Sequence, residues 1–322
     1  MSTLRGTLPS GTSFSLDLRL NHPTLLPGVQ VMTEETILSG GKLFRPRLCF
    51  MFAEAIGLQL ESVNGYARIA ELIHGATLAH DDVIDQATER RKKPTLNDKM
   101  TQARAILAGD LMLSRATVEL CELGHPVILK RMSEVLEDLV TGEWLQLENH
   151  GSLVVTSLSL ETIARYKTAA MIEWCVQVPF YVAHSNAKTI ELARRFGKSV
   201  GLAFQYMDDC VDFYAESGKA FAHDLSEGLL NQVTLTLLER NPKLSAYFKK
   251  SMQDGRDLDP HAFAAEVGSQ DLNSAIELIQ NKASFQVSIA DQTLNEIESN
   301  FKDSCDFIHI RDAIHSIVNR RQ

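Results

Sequence analysis

Leu72-Ile73-His74-Gly75-Ala76-Thr77-Leu78-Ala79-His80-Asp81-Asp82-Val83-Ile84-Asp85 and Phe204-Gln205-Tyr206-Met207-Asp208-Asp209-Cys210-Val211-Asp212 are two largely apolar stretches, each ending in Asp-Asp-x-x-Asp. Their apolar residues recur at three- and four-residue spacing, which predicts helix. On a helix the first and last aspartates of each run stack one turn apart, about 6 Å, so each run points carboxylates along one face. A single run reads as a solvated acidic face or a cap, but two of them on segments expected to be buried favour a divalent-metal site. Buried carboxylates are costly without compensation, so something cationic must meet them.

Working outward, apolar residues keep helical spacing from residue 39 onward, and no stretch shows sustained period-two alternation, so an all-α chain is expected. The spacing predicts helices over 44–56, 62–86, 101–123, 127–148, 159–184, 190–214 and 229–239, with two or three more toward the end. Gly57, Gly124, Gly151 and Gly218 stand where helices should stop, and Ser159 where one should start. Residues 1–30 are weakly patterned, with partial disorder expected, and 31–322 read as one domain. If the two acidic helix ends converge, a polar mouth caps an apolar bundle with a central active-site cavity.

The chain has 322 residues, 44% of them hydrophobic, enough for a large core with no linker that would select two domains. The net charge is −9, and the absence of a long basic tract argues against a nucleic-acid surface; an anionic ligand must be held by local cations or metal. Cys49, Cys121, Cys175, Cys210 and Cys305 show no CxxC or Cys/His metal spacing and read as reduced core residues. The N-terminal stretch lacks the apolar core of a signal peptide, which points to the cytoplasm. No run of about 18 apolar residues predicts a transmembrane segment, though peripheral membrane contact stays open.

Cations stand where they can answer the acids. Asp85 is followed by Gln86-Ala87-Thr88-Glu89-Arg90-Arg91-Lys92-Lys93-Pro94, and the proline puts the acids at the C-terminal end of their helix. There the helix dipole disfavours each negative charge by about 0.3–1 kcal/mol. Gly40-Gly41-Lys42-Leu43-Phe44-Arg45-Pro46, Tyr166-Lys167-Thr168-Ala169 and Gly218-Lys219 with His223-Asp224-Leu225-Ser226-Glu227-Gly228 add further basic or polar groups. Each alone reads equally as a loop, a snorkelling lysine or a surface turn. Together, two acid clusters and cations from at least four segments suit a diphosphate clamped through Mg²⁺, which combines a few carboxylates with substrate phosphates and water.

In order, the chain carries GGKLFRP, LIHGATLAHDDVID, ERRKKPTLN, AGDLML, GEWLQLE, YKTA, FQYMDDCVD and GKAFAHDLSEG, and from about residue 40 to 321 it resembles the trans-isoprenyl diphosphate synthases, or polyprenyl synthetases. The resemblance implies an all-α fold with a cavity between two aspartate-rich helices, usually a homodimer, and head-to-tail 1′-4 condensation of isopentenyl diphosphate with an allylic diphosphate. It implies Asp81, Asp82, Asp85, Asp208 and Asp212 around three Mg²⁺ ions, with Asp209 in support. Arg90, Lys167 and Lys219 would hold the allylic diphosphate, and Lys42, Arg45, His74 and Arg91 isopentenyl diphosphate. Thr168 and Gln205 would place dipoles beside the allylic cation. The inventory agrees, because ionising a C–O bond needs charge neutralisation on the leaving group rather than a protein nucleophile.

Departures from the family pattern are Leu43 at a usually basic position, Lys92 and Ala222 at usual glycines, and Leu229 at a usual lysine, with Asn231-Gln232 inserted behind it. Thr77 lies one turn below Asp81 and Ala76 beside it; both are small where short-chain members carry Phe or Tyr, so a product of C30 to C50 is expected, with C20 as the alternative. Close helix packing is the other reading of Ala76 and Thr77. A class I terpene cyclase is disfavoured by the complete second acidic run, and a non-catalytic partner subunit of a heteromeric synthase is the remaining rival.

Overall fold

A computed structural model describes residues 3–20, 27–38, 43–90, 93–150, 152, 154–214, 221–226, 228–253, 263, 266–301 and 306–319. Among the described residues the protein is all-α apart from two short antiparallel hairpins. Its chain divides into two compact units.

The first unit comprises Met1–Ser133, Trp174–Ile190 and Phe301–Ile310. It opens with a hairpin over residues 3–17, where the sequence pattern predicts no regular element. Strands β1 (Thr3–Thr7) and β2 (Ser13–Asp17) pair with Thr3 opposite Asp17 and Thr7 opposite Ser13. The alternation Ser13-Phe14-Ser15-Leu16-Asp17-Leu18-Arg19-Leu20 is a two-residue period with Phe14, Leu16, Leu18 and Leu20 all buried, the signature of a strand with one face inward. Arg68 of α3 (Glu61–Ile84) pins this hairpin by donating to the carbonyls of Asp17 and Arg19 while pairing with Glu119 at 2.9 Å.

Helices α1 (Pro27–Thr36), α2 (Phe44–Ala55), α3, the short α4 (Leu96–Lys99) and α5 (Gln102–Leu123) follow, with the two-residue strands β3 (Glu89–Arg90) and β4 (Lys93–Pro94) between α3 and α4. Gly57 and Gly124 stop α2 and α5 with φ of 77° and 69°, a conformation glycine adopts freely. Thr101 caps α5 by accepting from Arg104 N–H. Helices α3 and α5 approach closely at Gly109, where a Cβ would lie 2.2 Å from His80 Nε2.

The second unit comprises Glu134–Glu173, Glu191–Asn300 and Arg311–Gln322. Helix α6 (Pro126–Asn149) enters it. The helix expected over 159–184 is three pieces: α7 (Ser157–Ala164), a π-helical turn (Arg165–Ala169) and α8 (Ala170–Val182). Its cap is Thr156 rather than Ser159, and Ser159 is the reciprocal partner in the capping box. Helix α9 (Ala187–Val211) carries Gly197-Lys198-Ser199-Val200-Gly201. A Cβ at Gly197 would lie 2.6 Å from Glu173 Cα, and one at Gly201 2.4 Å from Ala169 Cα, so the two glycines let backbone touch backbone.

Helices α10 (His223–Ser226), α11 (Gln232–Arg240), α12 (Pro242–Gln253), α13 (Ser269–Glu298) and α14 (Ile308–Val318) complete the described chain. Helix α11 begins after Asn231, not at 229, because the Asn231 side chain accepts from the N–H groups of Val233 and Thr234. No helix among the described residues is long and apolar enough to cross a membrane.

Candidate active site

In the first unit the acidic run closes α3, and Asp85 is the C-cap, its N–H donating to the Asp81 carbonyl at 2.8 Å. Helix geometry splits the run. Asp81, half-buried, and Asp85, exposed, lie one turn apart on one face, while Asp82 points inward and is 3% exposed. Arg90 Nε donates to Asp82 Oδ1 at 2.7 Å, and Asn97 Nδ2 bridges the carbonyls of Asp82 and Ala87 at 3.2 and 3.0 Å. Burial raises the Asp82 pKa from its ordinary value, and the Arg90 charge and hydrogen bond act against that rise.

Below Asp81 the accessible stripe of α3 continues through Thr77 to His74, both half-buried, with Thr77 Oγ1 donating to the His74 carbonyl at 2.9 Å. Ala76 has no exposed surface and packs inward, so of the two small residues only Thr77 shares the Asp81 face. Arg45 is half-buried in α2. Lys42 and Arg91 lie outside the described residues.

In the second unit Gly197, Gly201, Gln205 and Asp209 follow one another at four-residue spacing along one face of α9. The close approach at Gly201 brings the next turn against the π-helical turn, and there Thr168 Oγ1 donates to Gln205 Oε1 at 2.8 Å. Gln205 Nε2 donates to Asp209 Oδ1 at 2.9 Å, and Gln232 N–H donates to Asp209 Oδ2 at 3.1 Å. Burial pushes Asp209 up to about 7; the Gln205 and Gln232 hydrogen bonds oppose this, and the Asp224 and Asp208 charges add to it.

Asp208 beside it is half-buried, whereas Asp212 is buried and its Oδ2 accepts from Asp224 N–H at 3.3 Å. Lys167, in the π-helical turn, pairs with Glu143 of α6 and donates to Gln146 Oε1 at 3.1 Å. Lys219 lies outside the described residues.

Glu143, Gln146, Gln232 and Lys282 are among the participants with no role in the sequence reading. The first two stand in a quoted motif, and Gln232 is half of the insertion behind Leu229. Lys282 of α13 gave no signal, yet its Nζ donates to Gln232 Oε1 at 3.2 Å and Ser157 Oγ at 3.1 Å. A lysine therefore does reach the segment where Leu229 departs from the usual basic residue, but from another helix.

Among the described residues no three His, Cys, Asp or Glu side chains form a ready-made metal cage. The donor set nevertheless fits Mg²⁺, which takes hard carboxylate oxygens a few at a time and fills its octahedron with water and substrate phosphates. A cation nearby would offset the desolvation that burial imposes on Asp82 and Asp209.

Residues 27–264 match the family model for polyprenyl synthetase. The chain belongs to the polyprenyl synthetase family. It is 34% identical to the all trans-polyprenyl-diphosphate synthase of Mus musculus over 247 residues, covering 71% of this chain and 58% of that protein. It is 33% identical to the decaprenyl-diphosphate synthase of Dictyostelium discoideum over 226 residues, 68% of this chain and 48% of that protein. The chain thus spans about half the length of the curated relatives it matches. A polyprenyl synthase from Caulobacter crescentus, solved with calcium and isoprenyl diphosphate, shares the fold at TM-score 0.84 and 24% identity, covering 94% of this chain and 92% of that one.

Proposed function

We propose that this polyprenyl synthetase is a Mg²⁺-dependent prenyltransferase that condenses isopentenyl diphosphate head-to-tail (1′-4) with an allylic diphosphate, giving an all-trans polyprenyl diphosphate of C30 to C50. The observation that carries the reading is the chain of hydrogen bonds from Thr168 through Gln205 to Asp209, next to Lys167 in the π-helical turn. It combines a cation, oriented dipoles and a desolvated carboxylate, the set required for ionising an allylic diphosphate.

Asp81, Asp82, Asp85, Asp208 and Asp212, with Asp209 in support, would hold three Mg²⁺ ions. When bound, Mg²⁺ neutralises charge on the leaving diphosphate. Arg90, Lys167 and Lys219 bind that diphosphate, while Lys42, Arg45, His74 and Arg91 hold isopentenyl diphosphate. The Thr168 proton is committed to Gln205, so the lone pairs of its oxygen remain for the developing allylic cation. After the alkene attacks, the released diphosphate takes the proton. Thr77, small and on the Asp81 face, lets the tail pass, and the name of the decaprenyl relative supports a long product.

In this proposal the two units act as one polyprenyl synthetase domain in a homodimer. The four described cysteines are free, which suits a reducing compartment such as the cytoplasm. Incubation with Mg²⁺, labelled isopentenyl diphosphate and farnesyl diphosphate, with chromatographic sizing of the dephosphorylated products, tests the proposal. A ladder reaching C30 or beyond is expected. A stop at C20 would overturn the chain-length reading, and no condensation with farnesyl, geranyl or dimethylallyl primers would overturn the activity.

A further inference from the structure

Glu143 has no part in the chemistry above, yet its carboxylate pairs with Lys167, and the two side chains are only 17% and 22% exposed. Gly142 makes the contact close: a Cβ there would lie 2.8 Å from Lys167 Cγ and 2.9 Å from Tyr166 Cβ, so α6 runs directly against the π-helical turn. Gln146, three residues beyond Glu143 and hence on the same helix face, accepts an N–H of Lys167 Nζ at 3.1 Å. An ammonium group has three N–H donors. Among the described residues its partners are these two groups of α6, an ion pair and a hydrogen bond, which leaves donor capacity for an anion.

We propose that Glu143 is a positioning residue that, with Gln146, orders Lys167 and aims its ammonium group at the diphosphate of the allylic substrate. The inference rests on the reading of Lys167 as a diphosphate ligand. A lysine side chain loses much rotamer freedom when it is fixed. With Glu143 in place that loss is met on folding; without it the loss falls on substrate binding. A π-helical turn supplies the local geometry, since the extra residue per turn changes the direction in which the next side chain leaves the helix.

Calorimetric titration of farnesyl diphosphate with Mg²⁺, without isopentenyl diphosphate, tests this on wild type, Glu143→Ala, Glu143→Gln, Lys167→Ala and the double variant Glu143→Ala/Lys167→Ala. Glu143→Ala should raise Kd about tenfold, Glu143→Gln should recover most of that loss by keeping an acceptor of the same shape, and Glu143→Ala should add nothing in the Lys167→Ala background. In turnover the loss should appear in KM for the allylic substrate and not in KM for isopentenyl diphosphate. A cost of Glu143→Ala that persists without Lys167, or a Kd that is unchanged or lower, overturns the positioning role. Glu143→Gln as weak as Glu143→Ala also overturns it, by showing that charge rather than placement matters. If Lys167→Ala leaves Kd unchanged, the reading of Lys167 itself has failed and the inference falls with it, whereas an intact Lys167 effect beside a silent Glu143 rejects this inference alone.

Discussion

Asp209 and Ala222 are held in states that an isolated residue would avoid. Asp209 has a folded pKa of about 7 against an ordinary 3.8, so folding favours its protonated form. The stability this contributes is full below pH 4 and is lost as pH rises through 7, a swing on the order of 4 kcal/mol. Metal-free protein should therefore melt at falling temperature between pH 4 and 8. Asp209→Asn should flatten that slope, and the stabilisation by Mg²⁺ should grow with pH; a scan of Tm against pH with and without EDTA checks all three. Ala222 sits at φ of 49°, fully buried, with its N–H on the Asp212 carbonyl at 2.9 Å. Left-handed backbone costs a non-glycine residue about 1–2 kcal/mol, partly offset in a glycine variant by a freer unfolded chain. Ala222→Gly should raise the denaturant midpoint by an amount equivalent to roughly 0.5–1 kcal/mol. The departure from glycine was visible in the sequence, but its backbone strain was not, because the pattern does not specify φ.

At the scale of elements, the long helices were legible because each carries an apolar face and an identifiable stop: α5 begins at the Thr101 cap and ends at Gly124, as the spacing predicts. The π-helical turn was not legible. Arg165-Tyr166-Lys167-Thr168-Ala169 continues an unbroken helical pattern, and an extra residue in one turn leaves the apolar spacing on either side intact. The hairpin is hard to see for a different reason: its alternation is carried by only four apolar residues between Ser-, Gly- and Pro-containing polar segments. Gly201 shows how one residue sets the relation between two elements. Its missing side chain lets α9 lie on Ala169, and that contact fixes the next turn at Gln205 against Thr168. Gly201→Ala should cost roughly 1–3 kcal/mol through overpacking and should lower turnover by separating that pair. Urea melts and steady-state kinetics measure the two effects, and Gly124→Ala serves as the control for a glycine needed for its φ of 69° alone.

For the molecule as a whole, the acidic runs belong to different units, Asp81 in the first and Asp208 in the second. The sequence made both runs legible and gave the family its order of motifs, but it did not separate their members by burial. Asp82, Asp209 and Asp212 are buried, while Asp81, Asp85 and Asp208 keep accessible surface. The accessible ones are the first candidates for reaching a ligand in solution. If both runs serve one Mg²⁺–diphosphate site, binding must depend on each of them, and the stabilisation by ligand must vanish when either is lost. Mg²⁺ with farnesyl diphosphate should raise the Tm of the wild type. Asp81→Ala and Asp208→Ala should each abolish that rise, and the double variant should lose nothing more. Two separate half-rises that add would instead indicate independent sites, one in each unit, and would remove the physical basis for a single condensation centre.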